Sequence, residues 1–506
     1  MSNKKILSNT IALYFRLLIT LFVSLFTTRI VLKNLGVEDY GLYGTVGSLI
    51  ALIAFLQNAL TGATNRFFNI EMISRDLPNI RKLFHTSFAI HLGIAITICL
   101  FLEILGKFLL KYYIHIPNEK FAIANDVFNL SVVSLFIIIV TIPFEALLIA
   151  KENFKAYAFI SIFESLTKLV IAYLLILTSE NRLIYYASAL LVSTVLSRLI
   201  YISITKNLYK EVSLTAGIDK NFLKQISSFI GWDLYGNFAV ILRDHGTTLI
   251  MNNFFGLLMV ASMQIGNQIM AAVGSFANNI SLAIKPQMMQ SYAVNDSYRM
   301  NKLINYSSSF SYYLLLILCV PVIVNIDYIL KLWLSTPPKY AKVITIFILC
   351  NFMITVIFNP LISLIHATGN IKSISLITGS IILLTLPIIY LTFKAGYPYY
   401  WAYIILIMVN ILVSLANLLI AAKQVNTFNI YNFLSAVVLK LVTVTLVVGS
   451  VLYPFIYVFK ANNFLEFVLL SFGQVIIILS FIYILGITKS EKKILINYFN
   501  SRLPKK

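Results

Sequence analysis

Charge is what this sequence has least of. Asp, Glu, Lys and Arg make up 11% of its 506 residues, less than half the share found in ordinary soluble domains. A chain so poor in charge cannot cover a soluble fold of this length, which excludes a soluble enzyme or binding module. Cysteine is almost missing. Cys99, Cys319 and Cys350 each fall in an apolar run at no metal-like spacing, and each is read as a small buried apolar residue. No Walker motif occurs, which removes direct ATP hydrolysis, and no DxD sugar-nucleotide motif occurs. Acidic residues are scarce even among the charges, 19 against 39 basic ones, for a net charge of +20.

What is there instead is apolar length. Hydrophobic residues make up 59% of the chain, in runs near 11–32, 44–66, 83–106, 127–150, 156–178, 183–205, 226–251, 256–284, 303–330, 341–367, 373–393, 398–421, 432–459 and 464–487. Each reaches the roughly 20 residues needed to cross a bilayer. The chain therefore reads as an all-α integral membrane protein with about fourteen transmembrane helices. Most Lys and Arg fall in loops and tails on the side of the amino terminus, so the excess positive charge marks orientation rather than nucleic acid, and both termini are expected to be cytoplasmic. The basic tail with Lys489, Lys492, Lys493, Arg502, Lys505 and Lys506 fits a lipid surface. Met1–Lys5 carries no small-residue cleavage site ahead of the first span, so an uncleaved anchor is expected.

The chain also repeats itself. A shift of 220 residues sets Gly36 on Gly256, Asn58 on Asn278, Asp76 on Asp296 and Ser87 on Ser307; a shift of 217 sets Pro143 on Pro360, Asn153 on Asn370 and Lys155 on Lys372. Loop and turn residues matched at a nearly constant offset point to a duplication of six helices. The expected domains are a first lobe at 1–205, a cytoplasmic linker at 206–225, a second lobe at 226–425, and two further helices with the basic tail at 426–506. Because each half holds an even number of spans, the repeats are parallel and related by a pseudo-twofold along the membrane normal, with substrate handled between them by alternating access.

Polar residues inside the spans carry the functional signal. In the first span Asn9, Arg16, Thr20, Ser24 and Thr27 form one stripe at helical spacing. A charge at mid-membrane costs about 2.5–3.5 kcal/mol on insertion scales, so that stripe should face protein or water. Arg29 points away from it. The second span has its own stripe of Asn58, Thr61, Asn65 and Arg66, and a polar turn, 33–41, joins the two. Helix five aligns Tyr157, Ser161, Glu164, Ser165 and Lys168; Glu164 and Lys168, four apart, either neutralise each other or leave Lys168 to touch substrate. Helix four carries Glu145 after Pro143, and helix six carries Arg198. Helix seven is the most charged, with Asp233, Arg243, Asp244 and His245, Arg243 projecting about 100° from Asp244 at helical spacing. Helix eight shows a ribbon of Gln264, Gln268, Ser275, Asn278 and Ser281, whose amides can meet sugar hydroxyls or bond between helices. His91 and His366 read as packed polar residues.

The run T-T-R-I-V-L-K-N-L-G-V-E-D-Y-G-L-Y-G at 27–44, with Ala63-Thr64-Asn65-Arg66-Phe67-Phe68, resembles the start of bacterial polysaccharide exporters. These are the Wzx-type flippases of O-antigen and other lipid-linked oligosaccharides, in the superfamily that also holds multidrug exporters and the lipid II flippase. The resemblance continues at 143–160, 231–256 and 285–296; the last hundred residues match in hydropathy only. It implies the two-lobe fold, a monomer in the bacterial cytoplasmic (inner) membrane, and a transporter rather than an enzyme. In the family a basic or polar residue commonly stands where Arg243 stands here.

The expected substrate site is Arg16, Arg29, Arg66, Lys168, Arg198 and Arg243 for the pyrophosphate of a polyprenyl-linked oligosaccharide, with Asn58, Gln264 and Gln268 for its sugars. Guanidinium forks pair with phosphate in two-point contacts. Glu145, Asp233, Asp244 and His245 are the candidates for coupling to H+ or Na+. No resident cofactor or metal is expected, and partners are the lipid-linked glycan, membrane lipids and polysaccharide polymerase machinery, not nucleic acid. The alternatives are a lipid II-type flippase, a multidrug exporter, and a membrane glycan polymerase. A polymerase would want a large outer loop with catalytic side chains, whereas the longest outer connections here, 107–126 and 331–342, are short.

Overall fold

The computed structural model describes residues 3–488, apart from 75, 152, 179–180, 216, 294–295, 335, 369, 371 and 458–460, together with Lys492. Side chains are further left aside at 3–14, 52–59, 62–63, 65–66, 69–70, 73–74, 224–237, 278–283, 285–287, 289–290, 293 and 455–457. Every regular element among the described residues is helical. Twelve helices there are long and apolar enough to cross a membrane. About fourteen helices remain consistent with these twelve, because 11–32 and 44–66 are two helices that run together across a break at Gly36, and the side chains of 226–237, within 226–251, lie outside the described residues.

The joined run is α1 (Asn3–Ser74), broken at Gly36, whose φ of 80° and ψ of 169° leave the helical region. The expected turn at 33–41 is therefore a one-residue break, and its polar residues stay helical. Only glycine takes such a φ without a steric cost. The break is clamped from outside: Lys120 Nζ bonds Glu38 at 3.0 Å and Asp39 at 2.7 Å, and Arg182 Nη1 donates to the Asn34 carbonyl at 2.9 Å. Past it, Gly41 and Gly44 let α8 approach. A Cβ on Gly41 would meet the Leu257 carbonyl, and one on Gly44 the Gln264 amide, both far inside contact distance.

The same punctuation recurs one repeat later. Helix α7 (Lys220–Phe255) ends and α8 (Leu257–Ala293) begins at Gly256, with φ 76° and ψ −173°. Asp76 caps α2 (Leu77–Phe101) by accepting from the Asn79 N–H, and Asp296 caps α9 (Ser297–Val324) by accepting from the Arg299 N–H. Pro143 lies inside α4 (Phe121–Ala150) and Pro360 inside α11 (Ala341–Thr368). Asn153 caps α5 (Phe154–Leu174), while Asn370 stands two residues ahead of α12 (Lys372–Leu383). The offsets read from spacing thus fall on helix breaks, caps and prolines at several matched positions.

The chain divides into two compact units. The first holds residues 1–264, 338–340 and 383–399; the second holds 265–337, 341–382 and 400–506. In the first, α1 packs on α4, α5 and α7, α4 packs on α2 and α6 (Arg182–Leu208), and α13 (Thr385–Lys394) lies along α7. Gly246 makes room there, since a Cβ would meet the Leu386 side chain at 2.8 Å. A short helix α3 (Lys107–Tyr112) continues α2 through a π-turn. The segment 209–219 is fastened to this unit: Lys151 Nζ bonds Glu211 at 2.5 Å, Asn153 Nδ2 donates to Tyr209 Oη at 3.1 Å, and the Asp219 N–H donates to Thr86 Oγ1 at 2.9 Å. His91 is buried, its Nδ1 2.6 Å from the Ser87 carbonyl, as a packed histidine should be.

In the second unit α11 packs on α9 and α14 (Trp401–Gln424), and α16 (Leu439–Tyr457) and α17 (Phe464–Phe481) pack on α9. A short α10 (Ile326–Leu334) follows α9, and α15 (Ile430–Phe433) precedes α16. Pro321 ends the regular run of α9, and Asn325 closes the break, its Nδ2 donating to the Pro321 carbonyl and to Gln474 Oε1, each at 3.0 Å.

Candidate functional site

The first unit gathers five ionised side chains from four helices. Arg198 on α6 donates from Nη1 to Glu145 Oε2 on α4 at 2.7 Å, and these side chains are only 10% and 14% exposed. One turn on, the Arg198 guanidinium sits 5.3 Å from the centre of the Tyr201 ring. Arg16 on α1 lies 5.1 Å over the Tyr157 ring of α5. Further along α5, Lys168 Nζ bonds Glu164 at 2.7 Å. Tyr157 is within electrostatic reach of Glu145, Arg16, Arg198 and Glu164, so these are one cluster. Three cations against two carboxylates leave it one positive charge.

Two of its donors are unused. Arg16 Nε and Arg198 Nε are buried and have no hydrogen-bond partner among the described residues. A buried N–H without an acceptor costs about 1–3 kcal/mol, more in a charged group, and an oxygen from a ligand or water would answer it. Aromatic faces hold both guanidinium groups in place while leaving their edges open.

Lys168 also reaches a cavity of about 360 Å³ between α1, α4, α5 and α6. Its polar lining comes from Tyr43, Ser131, Ser134, Lys168, Tyr186 and Thr194, the rest being aliphatic. Such a site can seat a compact anion against Lys168 and hydroxyl-bearing groups against the serines. Among the described residues no three His, Cys, Asp or Glu side chains converge as a metal site would need.

The other expected residues are placed differently. Arg29 is half-buried on α1 and forms no ion pair among the described residues. The side chains of Asn58, Arg66 and Asp233 lie outside the described residues. Arg243 does not project away from Asp244: its Nε donates to Asp244 Oδ1 at 2.7 Å. The helical angle between two Cβ atoms does not bind a side chain with four rotatable bonds, which here folds back onto its neighbour. Asp244 remains 53% exposed, and His245 is half-buried beside it. Gln264 donates from Nε2 to the Tyr40 carbonyl at 3.1 Å, filling the space Gly44 leaves. Gln268 is half-buried in the second unit and is hydrogen-bonded or otherwise partnered. Glu103 pairs with Lys107 one turn on. Tyr201 was missed, although its place three residues after Arg198 puts it on the same helical face.

Residues 236–391 match the MatE family model. Across almost the whole chain the fold matches a lipid II flippase, MurJ, in an inward closed conformation, with TM-score 0.66 at 17% identity, covering 94% of this chain and 99% of that one. The fold is that of the MOP-superfamily transporters. An inward-facing multidrug resistance MATE family transporter of that superfamily gives TM-score 0.62 at 14% identity, covering 81% of this chain and 97% of its own. A superfamily transporter from Pyrococcus furiosus, described as having a binding pocket of reversed polarity, gives TM-score 0.57 at 13% identity, covering 85% and 96%. No curated protein matches the sequence. Within this MOP-type fold the charged cluster belongs to one half only. At the 217-residue shift Glu145, Tyr157, Glu164, Lys168 and Arg198 meet Ile362, Ile374, Ile381, Thr385 and Leu415.

Proposed function

We propose that this protein is a flippase that moves a polyprenyl-pyrophosphate-linked oligosaccharide, a repeat unit of O-antigen, capsule or exopolysaccharide, from the inner to the outer leaflet of the bacterial cytoplasmic membrane. Support comes first from the two buried, unpartnered guanidinium donors of Arg16 and Arg198 in a cluster of net positive charge. They suit a pyrophosphate, whose oxygens accept in the plane of the fork. A cationic drug would meet repulsion at the same place.

In this reading the pyrophosphate engages Arg16 and Arg198, Lys168 exchanges Glu164 for a substrate oxygen, and Ser131, Ser134 and Thr194 meet sugar hydroxyls. The prenyl chain stays in lipid. The lobes 1–205 and 226–425 rock about the linker 206–225, both termini remain cytoplasmic, and the protein works as a monomer, handing its product to a polymerase. Asp244, held by Arg243, and Glu145, held by Arg198, are the carboxylates most able to exchange a guanidinium partner for H+ or Na+. A lipid II-type substrate is the second reading, favoured by one observation: the likeness to MurJ extends over 94% of this chain, that to the MATE structures over 81–85%.

The test is glycan export in a host lacking its own flippase, with wild type, Arg16→Ala and Arg198→Ala at equal membrane abundance. Rescue by wild type and a drop of at least about tenfold in either variant is expected, one lost charged hydrogen bond being worth about 1.5–3 kcal/mol. Full export by both variants would remove the cationic site from the pathway.

A further inference from the structure

The second unit holds a separate cavity of about 430 Å³ where α9 starts, flanked by the segment before α16 and by the end of α17. Two lysines line it, Lys302 and Lys440, and no Asp or Glu does among the described residues. Lys302 Nζ is held 5.9 Å and 5.6 Å from the rings of Tyr298 and Tyr306, which fix its direction without neutralising it. Lys440 sits inside an apolar span, where an ammonium is costly unless something answers its charge.

The walls are irregular in a specific way. Both flanking segments contain π-turns, Leu434–Val438 and Ile482–Gly486. Such bulges widen a helix by one residue and recur at functional sites. Here they set Ala436 and Gly486 on the lining. Gly486 must be glycine, since a Cβ would meet Tyr313 Oη at 2.8 Å, and its carbonyl accepts from that hydroxyl at 3.0 Å. The lining includes open apolar surface: Phe310 is 40% exposed and Ala436 is exposed.

We infer that this cavity is a binding site for the phosphate headgroup of an acidic glycerophospholipid, with Lys302 and Lys440 receiving the phosphate and the acyl chains lying over Phe310 and Ala436. The charge answers a phosphate; the apolar rim answers a lipid rather than a free ion. By the distribution of basic residues this face is the cytoplasmic one, where acidic lipids gather. The site is distinct from the cluster of Arg16, Glu145 and Arg198 in the first unit, so it would hold a resident lipid beside α9, α16 and α17 whatever the transported molecule is.

Native mass spectrometry of the full chain, extracted into detergent and titrated with phosphatidylglycerol or phosphatidylcholine, tests it. Wild type should retain phosphatidylglycerol in preference to phosphatidylcholine. Lys302→Gln/Lys440→Gln should weaken phosphatidylglycerol by about thirtyfold, following the combined worth of two basic residues near an anionic surface. Lys302→Arg/Lys440→Arg should keep it, which separates lost charge from lost folding. Equal retention of the two lipids by wild type, undiminished phosphatidylglycerol binding by the glutamine variant, or displacement by excess inorganic phosphate would each overturn the proposal.

Discussion

Replacing Glu145 by glutamine isolates the most buried ion pair of the candidate site. The substitution keeps the shape of the side chain but removes its charge, leaving Arg198 with a neutral partner at a position only 10% exposed. Removing one member of a buried pair costs about 3–5 kcal/mol, because the other charge is left uncompensated. Glutamine can still accept the Nη1 hydrogen bond, so the lower end, about 3 kcal/mol, is expected. Arg198→Gln should cost a similar amount, including about 0.5–2 kcal/mol for the lost contact with Tyr201. Glu145→Gln/Arg198→Gln has no stranded charge and should fall well short of the sum of the singles, with a coupling of about 2–3 kcal/mol. Unfolding of the purified protein by SDS titration, followed by tryptophan fluorescence, gives the four stabilities. Additivity within about 0.5 kcal/mol would refute the pairing as an energetic unit. The same series reports on function, because Glu145→Gln raises the net charge of the cluster from one to two. Added lipid-linked pyrophosphate should then stabilise Glu145→Gln more than wild type; an equal effect on both would count against phosphate binding there.

Two further outcomes follow from the glycines. Gly36→Ala and Gly256→Ala meet no neighbour within 4 Å, so only their positive φ resists the change; each should lose about 1–2 kcal/mol in the same titration, and no loss in either would contradict the backbone reading. Gly44→Ala drives a Cβ into the Gln264 amide and should lower stability and membrane abundance, whereas Gly44→Ala/Gln264→Ala should recover part of the loss despite losing the bond to Tyr40. A double variant worse than Gly44→Ala alone would show that Gln264 is not the obstacle.

The parts of this fold that sequence made legible are those set by local rules. Spans follow from apolar length, and the pair Glu164–Lys168 follows from helical spacing. Gly36 and Gly256 share an offset of 220 with Asp76 and Asp296, and each of the four punctuates a helix by what its own backbone or side chain does. What stayed hidden depends on which helices meet. Nothing near Glu145 announces Arg198, 53 residues later, and nothing near Gln264 announces the carbonyl of Tyr40 or the hole at Gly44. The Arg243–Asp244 contact was obscured for the opposite reason: a rule for Cβ directions was applied to a side chain long enough to escape it.

The contrast between the halves carries the strongest argument about function. Glycines, caps and prolines that shape the helices recur at the two offsets, and the second unit holds α11 to α14 with neutral groups: Asn410 Nδ2 donates to Asn351 Oδ1 at 2.6 Å and lies 3.3 Å from Thr355 Oγ1. Amide bonds of this kind between membrane helices are worth about 0.6–2 kcal/mol each and leave no stranded charge. At corresponding places the first unit offers Ser134, Ile138 and Ser193, and puts its polar weight on Glu145, Arg198, Arg16 and Lys168 instead. If helix packing alone were required, the neutral solution would have served both halves. A cluster of five ions with two unpaired guanidinium donors is the dearer solution in a bilayer, and its confinement to one half fits a substrate that is itself polar at one end and anionic.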